Sequence, residues 1–249
     1  MIDFHAHLDD EKIFPFLNEI IKKALNSGVN LIIFPSVNLS SAFRVVEVSK
    51  KFKNVLPMVG IHPSEVNNFK DDDLNKLEDI IKNEKIIGIG EIGLDYTYKT
   101  DKEKQKKLFE KQLQLAEKYN LPTVLHIRET FNDVFEILKN FKVTPIWHSC
   151  TGNLKEVKKF LEIGGYLSFS GIITFKNSHK LREVVKLIPL KRIFLETDSP
   201  YLTPEPYRGK INEPSYVKFI YQKVAEIKNI EIKELKNIIE ENFKKLYQS

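Results

Sequence analysis

Cysteine is almost absent. Cys150 is the only one in 249 residues, so no internal disulfide can form, and a small secreted scaffold stapled by disulfides is excluded. No apolar run approaches the roughly 20 residues that a membrane-spanning helix requires. The opening Met1-Ile2-Asp3-Phe4-His5 has neither a basic start nor a long apolar stretch. No secretory signal is therefore expected, and a cytoplasmic protein is. Low-complexity tracts, a Pro/Gly/Ser linker and repeats of a fixed motif are all missing, which favours one domain over residues 1–249. No glycine-rich phosphate loop follows the first apolar segment, and that counts against an open doubly wound sheet. Neither sign of charge dominates: 39 Lys and Arg face 34 Asp and Glu, for a net charge of +5. Such a mixed surface suits an anionic substrate without being a nucleic-acid footprint. Richness in Lys, Ile, Asn and Phe fits equally an AT-rich genome or heat adaptation.

What is present is a rhythm. Short apolar segments alternate with amphipathic ones, as β-α units of a parallel sheet require. Strands are predicted at 2–5, 31–34, 55–60, 86–90, 123–126, 145–148, 166–169 and 193–196. About eight units in a chain near 250 residues match a closed TIM-type (β/α)8 barrel, distortion allowed. Between the strands, Phe14, Leu17, Ile21 and Leu25 recur at helical spacing, with Gly28 placed to end that helix in a left-handed cap. Asn153 and Ser178 are predicted to cap two further helices, the second closed by Pro189. Additional C-terminal helices are expected at 214–228 and 231–247. No helix reads as apolar all round and no heptad run appears, so a monomer is expected.

Polar residues gather where the strands end. Of six histidines, His5, His7, His62, His126 and His148 lie at or just past a predicted strand terminus, joined by Glu91 and Asp198. Taken singly, each has an ordinary explanation: a chance His-x-His pair, a hydrogen-bonded rim histidine, a loop acid, a turn cap. Taken together they do not, because a barrel opens all strand C-termini on one face and gathers residues about 190 positions apart. His5 and His7 also share one side of an extended segment. Four histidines and two carboxylates supply N and O ligands for divalent ions, and a carboxylate between two ions can bridge them for hydrolysis at phosphorus or carbonyl centres.

Eight blocks in order then resemble the TatD family of metal-dependent deoxyribonucleases, within the amidohydrolase-like barrels. They include Asp3-Phe4-His5-Ala6-His7-Leu8-Asp9, Gly60-Ile61-His62-Pro63, Gly90-Glu91-Ile92-Gly93-Leu94-Asp95-Tyr96, Leu125-His126-Ile127-Arg128, His148-Ser149-Cys150-Thr151-Gly152 and Glu196-Thr197-Asp198-Ser199-Pro200. The resemblance runs nearly end to end. It implies two divalent ions (Mg, Mn or Zn), the first held by His5, His7, Glu91 and Asp198, the second by Glu91, His126 and His148. Asp198 would also orient or deprotonate the attacking water, and Glu91, where a related subgroup carries a carboxylated lysine, would bridge. Phe4, Ala6 and Cys150 depart from the residues common at their positions; Cys150 is expected to be a packing residue, since a filled His/carboxylate site leaves a thiolate no role. Arg128 and Arg208 are the candidate phosphate clamps and His62 a phosphate donor or outer partner. Aromatic residues such as Tyr96, Phe175, Tyr201 and Tyr207 could stack bases or simply pack the rim. The implied activity is 3′-to-5′ exonuclease action on single-stranded DNA. The alternative is deacylation of D-aminoacyl-tRNA, or another metal-dependent esterase or phosphodiesterase reaction. A non-catalytic binding module would lack a ligand, and none is lacking.

Overall fold

A computed structural model describes residues 1–247 of the chain. Its strands are β1 (Ile2–Asp3), β2 (Leu31–Pro35), β3 (Val55–Val59), β4 (Gly88–Asp95), β5 (Thr123–Arg128), β6 (Pro145–Trp147), β7 (Tyr166–Phe169) and β8 (Ile193–Leu195). Alternating with them are helices α1 (Leu17–Asn26), α2 (Leu39–Lys51), α3 (Asp71–Asn83), α4 (Lys102–Lys118), α5 (Phe131–Leu138), α6 (Leu154–Glu162) and α7 (His179–Leu187). Helices α8 (Val217–Lys228) and α9 (Ile232–Tyr247) close the chain. Among the described residues, no helix is long and apolar enough to cross a membrane. The chain forms two compact units, one of residues 1–34, 149–161 and 166–249, the other of residues 35–148 and 162–165.

In the first unit β1 pairs parallel with β2, Ile2 opposite Leu31, and β7 pairs parallel with β8. Phe4 N–H donates to the Leu195 carbonyl at 3.0 Å, which brings β8 beside β1 and gives the local order β7-β8-β1-β2. These strands are buried on both faces, and β2 and β8 accordingly read as apolar runs and not as an alternation. Rings of Phe4 and Phe194 stack with centroids 4.0 Å apart, on the side where Phe4 also meets Tyr247 of α9. Helix α1 ends as predicted, with Gly28 at a φ of 82°. Its buried face is Leu17, Ile20, Ile21 and Ala24, whereas Leu25 and Phe14 face solvent. Asn153 caps α6 by accepting from Lys155 and Glu156 N–H, and Glu156 reaches back to Asn153 N–H. Ser178 makes no such cap; its hydroxyl donates to the Ile172 carbonyl. Helices α8 and α9 tie back by side chain: Tyr221 hydroxyl meets both backbone polar groups of Ile2, and Asn242 Nδ2 donates to the Leu190 and Ile193 carbonyls.

The second unit carries β3, β4, β5 and β6 as successive parallel neighbours. Strand β4 is longer than predicted and includes Glu91, which the sequence reading put beyond the strand. The register explains the difference. Ile89 stands opposite Thr123 and Ile92 opposite Leu125, so β4 takes three steps where β5 takes two. That extra residue is a bulge, a device that re-aims a side chain. Gly93 follows at a φ of 142°, where an added Cβ would lie 2.0 Å from the His126 carbonyl oxygen. Only glycine lets β4 approach β5 that closely.

Candidate metal centre

Residues alternate sides along an extended segment, so Asp3, His5 and His7 share one face while Ile2, Phe4 and Ala6 share the other. All of the first set are buried. In the first unit the ligand atoms of His5, His7 and Asp198 lie within 4.8 Å of one another. His5 Nε2 is 3.2 Å from His7 Nε2, and Asp198 Oδ1 is 3.8 Å from the former and 3.5 Å from the latter. Donors at about 2.1 Å from one ion stand about 3.0–3.4 Å apart in octahedral or tetrahedral arrangement, close to this triangle. Asp198 takes a left-handed backbone with φ 56°. Its N–H donates to the His5 carbonyl at 2.9 Å, and its carbonyl accepts from Tyr201 N–H at 2.8 Å.

In the second unit Glu91 Oε1 is the focus. His126 Nδ1 lies 2.8 Å from it, His148 Nε2 2.9 Å and His62 Nε2 3.5 Å. Protonation logic sorts these imidazoles. His126 Nε2 is 2.9 Å from Asp95 Oδ2. A carboxylate only accepts there, so Nε2 carries the proton and Nδ1 turns its lone pair toward Glu91 and toward His148 Nε2 at 3.3 Å. Lone pairs that face one another at such distances require a cation between them, either a proton or a metal ion. His62 is the opposite case. Its Nδ1 accepts from Ser64 backbone N–H at 3.1 Å, so in the neutral ring Nε2 carries the proton and points a donor at Glu91. The ligand atoms of His62, Glu91 and His126 also lie within 4.8 Å of one another.

Charge is tuned to match. Burial pushes the Asp95 carboxyl up, but hydrogen bonds from His126 and Thr97 outweigh it and hold the group at about 2. Burial pulls the His126 imidazolium down, and the bonds to Asp95 and Glu91 more than reverse that, leaving it above the usual histidine value. The Cys150 thiol is buried and pushed up, chiefly by desolvation, which keeps it an unreactive packing group.

The remaining expected residues stand nearer the surface. Arg128 is exposed at the last position of β5, opposite Asp95. Arg208 is exposed and lies flat over Phe175, its guanidinium carbon 4.1 Å from the ring centroid. Tyr207 stacks on Tyr216 at 4.8 Å, and Tyr96 hydrogen-bonds Asp133 with Lys102 over its face. Both are packed into the rim.

Several positioning groups escaped the sequence reading. Asp95 sits in a matching block but was given no role; the signal was an acid four residues past Glu91 on the same strand. Ser36, just past β2, accepts Glu91 N–H on its carbonyl and exchanges two 2.8 Å bonds with Gly60 through its hydroxyl. Nothing in its sequence context marks it. Gln112 on α4 makes both bonds to the backbone of Ile61, fixing the residue before His62.

The donor chemistry therefore fits divalent cations: buried imidazole nitrogens and carboxylate oxygens, with an outer carboxylate fixing a ring. Comparisons agree. Residues 2–248 match the family model described as TatD related DNase. The chain is 38% identical over 252 residues, all of it and 99% of its partner, to an uncharacterized metal-dependent hydrolase, YabD, of Bacillus subtilis. Another such hydrolase, from Methanocaldococcus jannaschii, is 34% identical over 251 residues, 99% of this chain and 96% of that one. Among solved structures, the TatD homologue YJJV of Escherichia coli matches with a TM-score of 0.95 at 27% identity, covering 100% of this chain and 98% of that one. The fold is accordingly a TIM-type (β/α)8 barrel with α8 and α9 added at its C-terminal end. With its imidazole and carboxylate groups on strand ends and the family model spanning nearly its whole length, this chain belongs to the TatD-related DNase family and is a metal-dependent hydrolase.

Proposed function

We propose that this hydrolase is a deoxyribonuclease that removes nucleotides from single-stranded DNA in the 3′-to-5′ direction, acting as a cytoplasmic monomer of one catalytic domain. The observation that carries the reading is the set of imidazoles around Glu91 Oε1, with His126 and His148 both within 3 Å. His5, His7 and Asp198 would contribute to holding one ion, His126 and His148 another, with Glu91 shared between them as the family resemblance implies. When bound, a pair of such ions (Mg, Mn or Zn) supplies Lewis acidity, acidifying water and polarising the scissile P–O bond. The chain's own groups do the rest. Asp198 takes the proton from the attacking water through its carboxylate. The Nε2–H of His62 donates to a nonbridging phosphate oxygen. Arg128 and Arg208 hold flanking phosphates, a role that planar bidentate guanidinium suits. The family description, a DNase, supports the choice of DNA.

The test is to incubate the purified chain with end-labelled single-stranded DNA and with D-tyrosyl-tRNA, each with Mg2+, Mn2+ or Zn2+ and each with chelator. Metal-dependent release of nucleotides from the 3′ end, abolished in Glu91→Ala, is the expected result. Deacylation of the tRNA without DNA cleavage would replace the substrate with the ester. Cleavage that chelator leaves untouched would remove the mechanism too.

A further inference from the structure

Asp198 holds an uncommon backbone. A non-glycine residue in the left-handed region persists only where its surroundings over-determine it. The two bonds of its own peptide groups, to His5 and from Tyr201, fix it from either side. A third set of contacts acts one residue earlier. Asp3 Oδ1 accepts Thr197 N–H at 2.7 Å, and Oδ2 accepts the Thr197 hydroxyl at 2.7 Å. The same hydroxyl oxygen accepts Ser199 N–H at 3.1 Å. Asn212 completes the frame, donating from Nδ2 to the Thr197 carbonyl at 2.8 Å and the Tyr201 carbonyl at 2.6 Å. Asp3, Thr197, Ser199 and Asn212 are all fully buried. Apart from the bond to Tyr201, these contacts converge on Thr197 and Ser199, the two residues that flank Asp198.

The other end of this bridge matters as much. Asp3 lies on β1 two residues before His5 and four before His7, on the same face as both. One carboxylate thus clamps the turn that carries Asp198 to the strand that carries the two imidazoles. We propose that the Asp3–Thr197 pair is the positioning device that sets the Asp198 carboxylate against His5 and His7, so that the first group of ligands is assembled as a unit. Asp3 and Thr197 touch neither substrate nor ion; they act through Asp198. The inference rests on reading His5, His7 and Asp198 as ligands of one ion, not on the identity of the substrate.

The test compares Thr197→Val, which keeps the shape and removes the hydroxyl, with Thr197→Ser, which keeps the hydroxyl. Zn2+ or Mn2+ binding is read by calorimetric titration of the metal-stripped protein, beside kcat and KM on the substrate found active. Thr197→Val is expected to weaken one ion by about 10–100-fold, the range typical for loss of an outer-shell partner. The other ion should stay within about two-fold of wild type, and Thr197→Ser should recover most of the loss. Thermal unfolding of each metal-stripped variant separates positioning from general damage. Asn212→Asp, which cannot donate to the two carbonyls, provides a second variant if Thr197→Val does not fold, with the same selective loss expected. Wild-type affinity for both ions in either folded variant would overturn the proposal, as would equal weakening of both ions. A wild-type chain that binds metals yet leaves DNA intact would defeat the proposed substrate while leaving this test standing.

Discussion

Single side chains decide the chemistry through the proton each carries. Asp95 makes His126 donate from Nε2 and so presents Nδ1 to Glu91. Removing it should do two things. Asp95→Ala should weaken metal binding by about 10–100-fold, since the ring loses the partner that fixes its orientation. It should also shift the pH dependence of that binding to lower pH. In the wild type the His126 value is raised above 6.5, so the proton a metal must displace persists to higher pH, and apparent affinity should climb as pH rises through about 6 to 8. Without Asp95 much of that raising is gone, and the climb should begin at lower pH. Calorimetric titrations at several pH values check both effects. At this scale the sequence was most legible where a residue type is itself diagnostic. His5, His7, Glu91, His126, His148 and Asp198 announce metal chemistry through their identities and spacing. Ser36, Thr197 and Gln112 do not, because they act through backbone hydrogen bonds any polar side chain could make, and only three-dimensional neighbours reveal the choice.

Some of the contacts that position elements are ionic. Glu78 on α3 accepts from Lys118 at 2.7 Å and from the Tyr119 hydroxyl at 2.6 Å, tying α3 to the end of α4. Those hydrogen bonds, Lys118 first, lower the Glu78 carboxyl from 4.5 to about 2. A depressed carboxylate contributes stability that is present above its unfolded value and lost as pH falls through the folded one. Glu78→Gln should therefore be less stable than wild type at neutral pH, with the gap closing between about pH 4.5 and pH 2. Urea midpoints across that range test it; a gap that is constant with pH would assign the effect to something other than the charge. Helix and strand positions were largely readable from apolar periodicity, but boundaries were not. The β4 strand was cut short because glycine on either side of Glu91 looks like a loop, when in the folded chain it allows the bulge and the close approach to β5. Leu25 misled in the other direction, for a leucine at helical spacing fits the apolar stripe of α1 whether or not it is covered.

For the molecule as a whole, burying so many imidazole and carboxylate groups creates a debt of desolvation that cations relieve. Metal that binds the folded chain alone must then raise its stability. At 100 times the dissociation constant the gain is about 2.7 kcal/mol per site, which in a chain of this size corresponds to about 5–10 °C in Tm. Chelator should lower the midpoint by that amount, and Glu91→Ala should lose most of the difference. An unchanged Tm would mean that no ion is held with useful affinity. The fold class was legible at this scale because eight strand-helix units need little but length and rhythm to be counted. Substrate was not, since hydrolysis of a phosphodiester and of a carboxylic ester asks for the same ions and the same base.

The extra step in β4 makes length itself part of the machinery. Loss of Gly90 would let the strand pair evenly with β5 from Ile89 to Asp95. Ile92 to Asp95 would keep their partners on β5, but Glu91 would lose the bulge that aims its carboxylate at His126 and His148. Substitution removes a ligand outright; a deletion here would keep the carboxylate and misdirect it, while Asp95 still anchors His126. Insertions and deletions in this stretch should therefore be tolerated by folding and refused by function.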